Sequence, residues 1–484
     1  MNNPTADIAV VGLAVMGQNL ILNMADHGFK VVAYNRTHSK VQEFLDGPAQ
    51  GKSIVGATSI PEMLAQLKKP RRVMFMVKAG SVVDDMIAQV APLLEPGDIL
   101  IDGGNSNYGD TERRLTEMEA LGILYVGCGV SGGEEGARNG PSIMPGGSVA
   151  AWPHIEAIFK GISAKTESGE SCCEWVGSGG SGHFVKMVHN GIEYGDMQLI
   201  TEAWQLLRHV GKRSDDQIAT IFAEWNKGPL ASYLIEITAD ILKWKEPDGS
   251  LLVDHILDAA GQKGTGKWTG INALELGTPL TLITEAVFAR TLSSWKEERV
   301  AASTLIESKL LDVTVPATFV QDVHDALLAA KMISYAQGFL LMRAAAKERG
   351  WALDYGSVAL LWRGGCIIRS AFLGRIRDAY AHNPEIASLV VDPWFQARLA
   401  EGQSGWRRTL CAAIQAGIAL PAMSSALSFF DGYRTANSGA SLIQAQRDYF
   451  GAHTYERTDK PRGEFFHTDW IGSGAFAKSG SYSA

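Results

Sequence analysis

Lys186, His189, Asn190 and Glu193 stand at i, i+3, i+4 and i+7 in a stretch opened by His183. On a helix this spacing puts all four on one face within two turns. A lysine and a glutamate at that range usually form a solvated ion pair. Here Phe184, Val185, Met187, Val188 and Ile192 surround them, so the helix is expected to be largely buried. A desolvated lysine holds its proton less tightly and can act as a general base. A carboxyl group on the same face is then the complementary acid. The Gly- and Ser-rich string Gly177–Gly182 reads as a hinge into this helix and as room for a ligand.

A second pattern lies near the N-terminus. Gly12, Leu13, Ala14, Val15, Met16 and Gly17 follow a strand-like run, Asp7–Val11, and open a helical stretch. Gly12 allows a tight turn, and Gly17 allows close packing of helix on strand. The helix N-terminus offers N–H groups to a pyrophosphate. The second position is Ala14 rather than glycine, so an ordinary strand–turn–helix competes, but the context favours a dinucleotide. The next strand, Val31–Asn35, runs into Arg36 and Thr37 with no acidic residue to take a ribose 2′-hydroxyl. Arg36 offers a fork for a 2′-phosphate, and Thr37 can cap a helix and donate to that phosphate, which points to NADP.

Gly261 to Lys267 fits G-x-x-x-x-G-K, but Trp268 stands where a phosphate loop needs Ser or Thr. The loop also follows a helical pattern, Leu251–Ala259, rather than a strand. A nucleotide-hydrolysing P-loop is rejected. Lys263 and Thr265 remain able to cradle a phosphate. Arg290, Arg447 and His453 are further basic candidates, each by itself more often a surface charge.

Strand candidates Asp7–Val11, Val31–Asn35, Arg72–Val77, Ile99–Asp102, Ile123–Gly127 and Ser142–Met144 alternate with helical stretches. This predicts an α/β Rossmann-type domain with a largely parallel sheet over residues 1–180. All 12 Trp lie at or after Trp152. From His183 on the chain reads as long helices, a large all-α domain over 181–435. Lys186-Met187 is echoed by Lys331-Met332, and Trp225–Gly228 by Trp362–Gly365, which suggests a duplicated helical domain. Ser334, Tyr335 and Gly338 replace His189, Asn190 and Glu193 in the second copy, marking the first set as site candidates. Residues 436–484 form a polar, aromatic C-terminal tail that cannot build a core alone.

The chain has 484 residues, 46% hydrophobic and 20% charged, with net charge −8. This profile suits a globular protein of two to three domains. No apolar run is long enough for a membrane span, and no signal-peptide pattern opens the chain. The absence of a basic block argues against nucleic acid. Five cysteines in so long a chain make neither a disulfide framework nor a zinc spacing. Cys172-Cys173 reads as a strand pair with alternating faces, in a reducing compartment.

Eight strings carry a resemblance: Gly12–Asn19, Asn35–Thr37, Val77–Gly80, Asp102–Asn105, Val130–Gly136, Lys186–Tyr194, Gly261–Trp268 and Gln446–His453. In order, to about Trp470, they resemble the 6-phosphogluconate dehydrogenase family. The resemblance implies metal-independent oxidative decarboxylation of 6-phosphogluconate with NADP⁺, yielding ribulose 5-phosphate, CO₂ and NADPH in the oxidative pentose phosphate pathway. By the same resemblance Lys186 is the general base and Glu193 the general acid. Asn105, Ser131, Gly132, Gly133, His189 and Asn190 hold the sugar acid. Tyr194, Lys263, Thr265 and Arg290 hold the phosphate with Arg447 and His453. Gly12, Leu13, Ala14, Met16, Gly17, Asn35, Arg36, Thr37, Val77, Lys78, Ala79 and Asn105 line the cofactor site. A cytoplasmic homodimer is implied, each tail threading the partner so that Arg447 and His453 serve the other subunit.

Two other readings compete. A related β-hydroxyacid dehydrogenase for a small unphosphorylated acid would be shorter and would not need Lys263, Arg290, Arg447 and His453. A non-enzymatic NADP-binding protein would need neither Lys186 nor Glu193.

Overall fold

The computed structural model describes residues 4–306 and 309–472. Met1–Asn3 and the end of the expected tail, residues 473–484, lie outside the described residues. By compactness the chain divides into two units, Met1–Ala426 and Leu427–Ala484.

The first unit opens with a seven-stranded sheet: β1 (Ile8–Val11), β2 (Val31–Tyr34), β3 (Ile54–Ala57), β4 (Arg72–Phe75), β5 (Ile99–Asp102), β6 (Leu124–Val130) and β7 (Ile143–Gly147). Their order is β3-β2-β1-β4-β5-β6-β7. Every neighbouring pair is parallel except β6–β7. Helices cover both faces, so most strand residues are buried whichever way they point, and the strands read as continuous apolar runs. One face packs on Leu20, Phe44, Ile155 and Phe159, the other on Met63, Val83, Ile87 and Met118.

β4 stops at Phe75, short of Val77, β6 runs on past Gly127 to Val130, and two further strands depart from the expectation. β3 was not anticipated: it is a four-residue edge strand interrupted by Gly56, where a Cβ would press on Leu45 and Val41. β7 extends beyond Met144 through Pro145, Gly146 and Gly147, residues tolerated there because it is the sheet's other edge. Cys172 and Cys173 are both buried, and both meet β7 at Ile143: the Cys172 carbonyl accepts Ile143 N (3.0 Å), and Cys173 forms an isolated parallel bridge to Ile143. They form no strand.

The helices that build the site are α1 (Val15–Asp26), α2 (Tyr108–Glu119), α3 (Gly133–Asn139), α4 (Ser181–Gln205), α5 (Thr265–Glu275), α6 (Thr281–Ser293) and α7 (Phe319–Arg349). The helical pattern Leu251–Ala259 yields only Leu252–His255, and an irregular, mostly exposed loop continues to Gly264.

The Gly/Ser string ahead of α4 is not a hinge. A Cβ on Gly182 would lie 2.4 Å from the Gly127 carbonyl oxygen and 2.5 Å from that of Met144. One on Gly180 would lie 2.6 Å from the Tyr108 carbonyl oxygen. The glycines let α4 start in contact with the backbone of the β6–β7 pair; the close approach is to the sheet.

α4 and α7 are the two long helices whose Lys-Met pairs echo each other, and they pack together: a Cβ on Gly338 would meet Ile192 and Val188. Beyond them, Ala231–Tyr233 and Arg369–Ala371 pair antiparallel. Tyr233 N donates to Arg369 O (3.1 Å) and Ala371 N to Ala231 O (2.9 Å). The segments that follow the two echoing Trp strings thus pair with each other.

Candidate active site

The sheet's strand order reverses between β1 and β4, and ligands of open α/β sheets bind at such a point. Gly12 follows β1 with φ +109°, and a Cβ there would lie 2.4 Å from the Met76 carbonyl oxygen. Only glycine fits both the backbone conformation and the space. Gly17 lets α1 press back on this turn, since a Cβ there would meet the Gly12 oxygen. Ala14 occupies the N-cap of α1 and supplies no side-chain cap, so the helix turns N–H groups toward whatever lies over the glycine turn. Asn35 donates from Nδ2 to the Thr37 carbonyl (3.1 Å) and accepts from Leu13 N (3.2 Å), tying the end of β2 to the turn. Arg36 and Thr37 are exposed beside it. Thr37 stands at the N-cap of the helix His38–Asp46, but its hydroxyl makes no cap bond; the expected capping role is not formed. Met16, Val77 and Ala79 are half-buried, and Lys78 is exposed.

The second cluster lies on α4. Lys186 crosses β6 at Gly129, where a Cβ would lie 2.5 Å from that of Lys186. Its Nζ donates to Asn190 Oδ1 (2.8 Å) and lies 3.5 Å from His189 Nδ1. Asn190 Nδ2 donates to Thr265 Oγ1 (3.0 Å) at the start of α5. His189 Nδ1 is 3.0 Å from Asn190 Oδ1 and its Nε2 is 3.3 Å from Ser131 Oγ. Those partners fit a neutral imidazole that donates from Nδ1 and accepts at Nε2. Glu193 Oε2 lies 4.0 Å from His189 Nδ1.

Burial governs the charges. It pulls the Lys186 amine below its ordinary range against the opposing pull of Glu193 and Cys366. It pushes the Glu193 carboxyl up, opposed by Lys186 and Arg290. His189 is held well below its usual range by burial and by Lys186. A weakened cation and a weakened anion on one face are two groups whose environments favour a free base and a protonated acid.

Arg290 of α6 stacks on the Tyr194 ring, 3.7 Å from its centroid, and points one nitrogen at the Gly261 carbonyl. Lys263 is exposed in that same loop. Gly132, the N-cap of α3, and Gly133 both take positive φ, and a Cβ on Gly132 would lie 2.5 Å from the Gly365 carbonyl oxygen. Asn105 is exposed just past β5. The structure therefore joins Ser131, Lys186, His189, Asn190 and Thr265 in one hydrogen-bonded set, with Glu193 at its edge and Tyr194 stacked under Arg290. Arg447 and His453 belong to the second unit, where Arg447 Nη1 donates to Gln444 Oε1 (3.0 Å) and His453 packs edge-on against Phe450.

Sequence reasoning missed Arg114. It looks like a surface charge on α2, yet its side chain is fully buried. It donates to Asp84 (2.7 Å), Asp102 (3.3 Å) and the Gly80 carbonyl (3.0 Å). It thus clamps the loops after β4 and β5, and holds Asp84 down at about 2. The loop Trp362–Cys366 also reaches the site, and its echo of Trp225–Gly228 is the one sequence signal it carries. Trp362 packs edge-on against His189, 5.8 Å between ring centres. Among the described residues, no group of three or more His, Cys, Asp or Glu comes together that could hold a metal ion. Nor is any helix long and apolar enough to cross a membrane.

Two family models match: "NAD binding domain of 6-phosphogluconate dehydrogenase" over residues 7–177, and "6-phosphogluconate dehydrogenase, C-terminal domain" over 182–470. The "6-phosphogluconate dehydrogenase, decarboxylating" of Aggregatibacter actinomycetemcomitans is 60% identical over 477 residues, 98% of this chain and 99% of that one. The human protein of the same name is 59% identical over 481 residues, 99% of each. A Plasmodium falciparum 6-phosphogluconate dehydrogenase, solved alone, with its cofactor NADP⁺ and with its substrate 6-phosphogluconate, matches with TM-score 0.93 and 42% identity. That match covers 96% of this chain and 100% of that one.

Proposed function

The chain belongs to the 6-phosphogluconate dehydrogenase family, and from that premise we propose that it converts 6-phospho-D-gluconate and NADP⁺ to D-ribulose 5-phosphate, CO₂ and NADPH. The observation that carries the reading is the buried face of α4. There a lysine that burial pushes toward its neutral form belongs to one hydrogen-bonded set, and a glutamate that burial pushes toward its protonated form stands at the edge of that set. Residues 1–180 carry the cofactor site and, through Ser131, one edge of the substrate site, most of which is built by 181–435.

The turn at Gly12, the uncapped start of α1 and the carboxylate-free end of β2 fit NADP: a phosphate chain over the helix N-terminus and a 2′-phosphate at Arg36. Bound NADP⁺ supplies the hydride acceptor. Lys186, as the free amine, takes the proton of the substrate's C3 hydroxyl as the C3 hydride departs. A 3-keto acid results. The ammonium of Lys186 then gives its proton to the C3 oxygen, stabilising the negative charge developing there, while the C1–C2 bond breaks, CO₂ leaves and an enediol forms. Glu193 delivers a proton to the carbon that lost CO₂, and Lys186 takes back the enediol hydroxyl proton. Ser131, His189 and Asn190 orient the sugar acid. Tyr194, Lys263, Thr265 and Arg290 meet the phosphate, with Arg447 and His453 from the other subunit's tail.

Three outcomes check this reading. Arg36→Ala is expected to raise KM for NADP⁺ by about tenfold to hundredfold, the worth of charge-assisted hydrogen bonds to a phosphate, with KM for NAD⁺ unmoved. The pH profile of kcat/KM is expected to be bell-shaped, since the active form needs Lys186 free and Glu193 protonated. In Glu193→Gln, slowed about 100-fold, the fall at high pH disappears and the rate climbs to a plateau as Lys186 sheds its proton. A fall at high pH that survives in this variant rules Glu193 out as the acid.

The assembly is a cytoplasmic homodimer with exchanged tails. Leu257, Leu274 and Phe288 are exposed apolar side chains on the first unit, of the kind a second copy would cover. From Thr435 on, no described hydrophobic residue is buried, as suits a segment that needs another surface. All five cysteines are free. Deleting residues from Asp431 on is expected to abolish both dimerisation, read by light scattering, and recognition of the substrate's phosphate. A monomer with normal KM for 6-phosphogluconate overturns the exchanged tail.

A further inference from the structure

From Thr435 to Gly472 only Asp448 and Thr454 are buried. The centre of this segment is a carboxylate rather than an apolar core. Asp448 Oδ1 accepts from Thr454 N (2.9 Å) and His467 Nδ1 (3.0 Å). Its Oδ2 accepts from Thr468 N (3.1 Å) and Trp470 Nε1 (2.8 Å). Four donors fill the acceptor sites of an ionised carboxyl. Burial pushes the group's pKa up, but the donors outweigh burial and hold it below the usual range.

What these bonds fix is the turn after the helix α8 (Ala440–Gly451). Ala452 and Thr454 both take left-handed backbone angles, φ 51° and 59°, and His453 sits between them. Non-glycine residues persist there only where their surroundings over-determine the backbone. Asp448 supplies that constraint from both ends: its carbonyl accepts Ala452 N (2.9 Å) and its carboxylate accepts Thr454 N. Gln444 continues the link, donating to the Thr454 carbonyl and accepting from Arg447. Arg447 and His453 are thus held as a pair by a frame that closes on Asp448.

We propose that Asp448 is a positioning residue, whose fully engaged carboxylate sets Arg447 and His453 at the spacing that recognises the substrate's phosphate group. This rests on the reading of Arg447 and His453 given above. Asn at 448 keeps the shape but turns one acceptor into a donor, so two of the four donors then face an N–H group.

The test is steady-state kinetics on the full-length dimer, with Asp448→Asn beside Arg447→Ala. Asp448→Asn is expected to raise KM for 6-phosphogluconate about tenfold to hundredfold, with kcat at saturation, KM for NADP⁺ and the dimer mass within about twofold of wild type. A merely structural role would instead lower kcat, thermal midpoint and dimer fraction together, and that result overturns the proposal. If Asp448→Asn does not fold, Trp470→Phe, which removes a single donor, carries the test with a smaller rise in the same KM alone; no rise there overturns it. A raised KM in Arg447→Ala with none in Asp448→Asn sinks the positioning role only. Normal KM in Arg447→Ala sinks the phosphate reading beneath it.

Discussion

Lys186→Met is expected to lose NADPH and CO₂ production together, by about 10⁴-fold in kcat/KM, while NADP⁺ still binds. A general base contributes about 10² to 10⁴. The same nitrogen, once protonated, also stabilises the oxyanion of the decarboxylation step, and one such donor is worth about 10² to 10³. The two contributions belong to one group and do not simply multiply. Methionine matches the volume and removes a buried polar atom, so stability is expected to hold or rise, the usual exchange at a catalytic position. NADPH absorbance and CO₂ release measured together, with cofactor binding followed by quenching of tryptophan fluorescence, decide the matter. NADPH formed without CO₂ at near wild-type rate would leave oxidation independent of Lys186 and end its role as base.

The legibility of this site was uneven for physical reasons. The face of α4 was readable because helical periodicity and apolar neighbours together fix both direction and burial. The cofactor turn was readable because Gly12 and Gly17 answer to one backbone geometry. Arg114 was not, because nothing in its own helix distinguishes a buried guanidinium from a solvated one; its partners come from the ends of two distant strands. The Gly/Ser string misled for a related reason. Glycine signals either freedom or crowding, and only the Gly127 and Met144 carbonyls around Gly182 show that crowding applies. β3 and β7 were short or under-read because edge strands are set by their neighbours rather than by their own β-branched content.

The echo of Lys186-Met187 in Lys331-Met332 leads to the last expectation. Lys186 and Lys331 hold echoing places on α4 and α7, and both are buried. Their partners differ. Lys186 meets an amide, Asn190, and is left short of counter-charge. Lys331 meets a carboxylate, Asp196, at 2.5 Å, with both side chains essentially inaccessible. The carboxylate ties Lys331 into the packing of α4 and α7; burial presses Lys186 toward the free base. Lys331→Met is therefore expected to destabilise the protein by about 3 to 5 kcal/mol, the usual result of stripping one partner from a buried pair. Burial already pushes the Asp196 carboxyl upward, so it can take up a proton, which sets the loss toward the lower end of that range. Asp196→Leu with Lys331→Met is expected to recover most of the loss, because an apolar pair leaves no stranded charge. Denaturant midpoints for the single and double variants measure this, and kcat per folded molecule is expected to stay within about tenfold, far from the 10⁴ of Lys186→Met. A Lys331→Met protein as stable as wild type would mean that the ion pair holds nothing together. The contrast between the two lysines would then need a cause other than the partner each one meets.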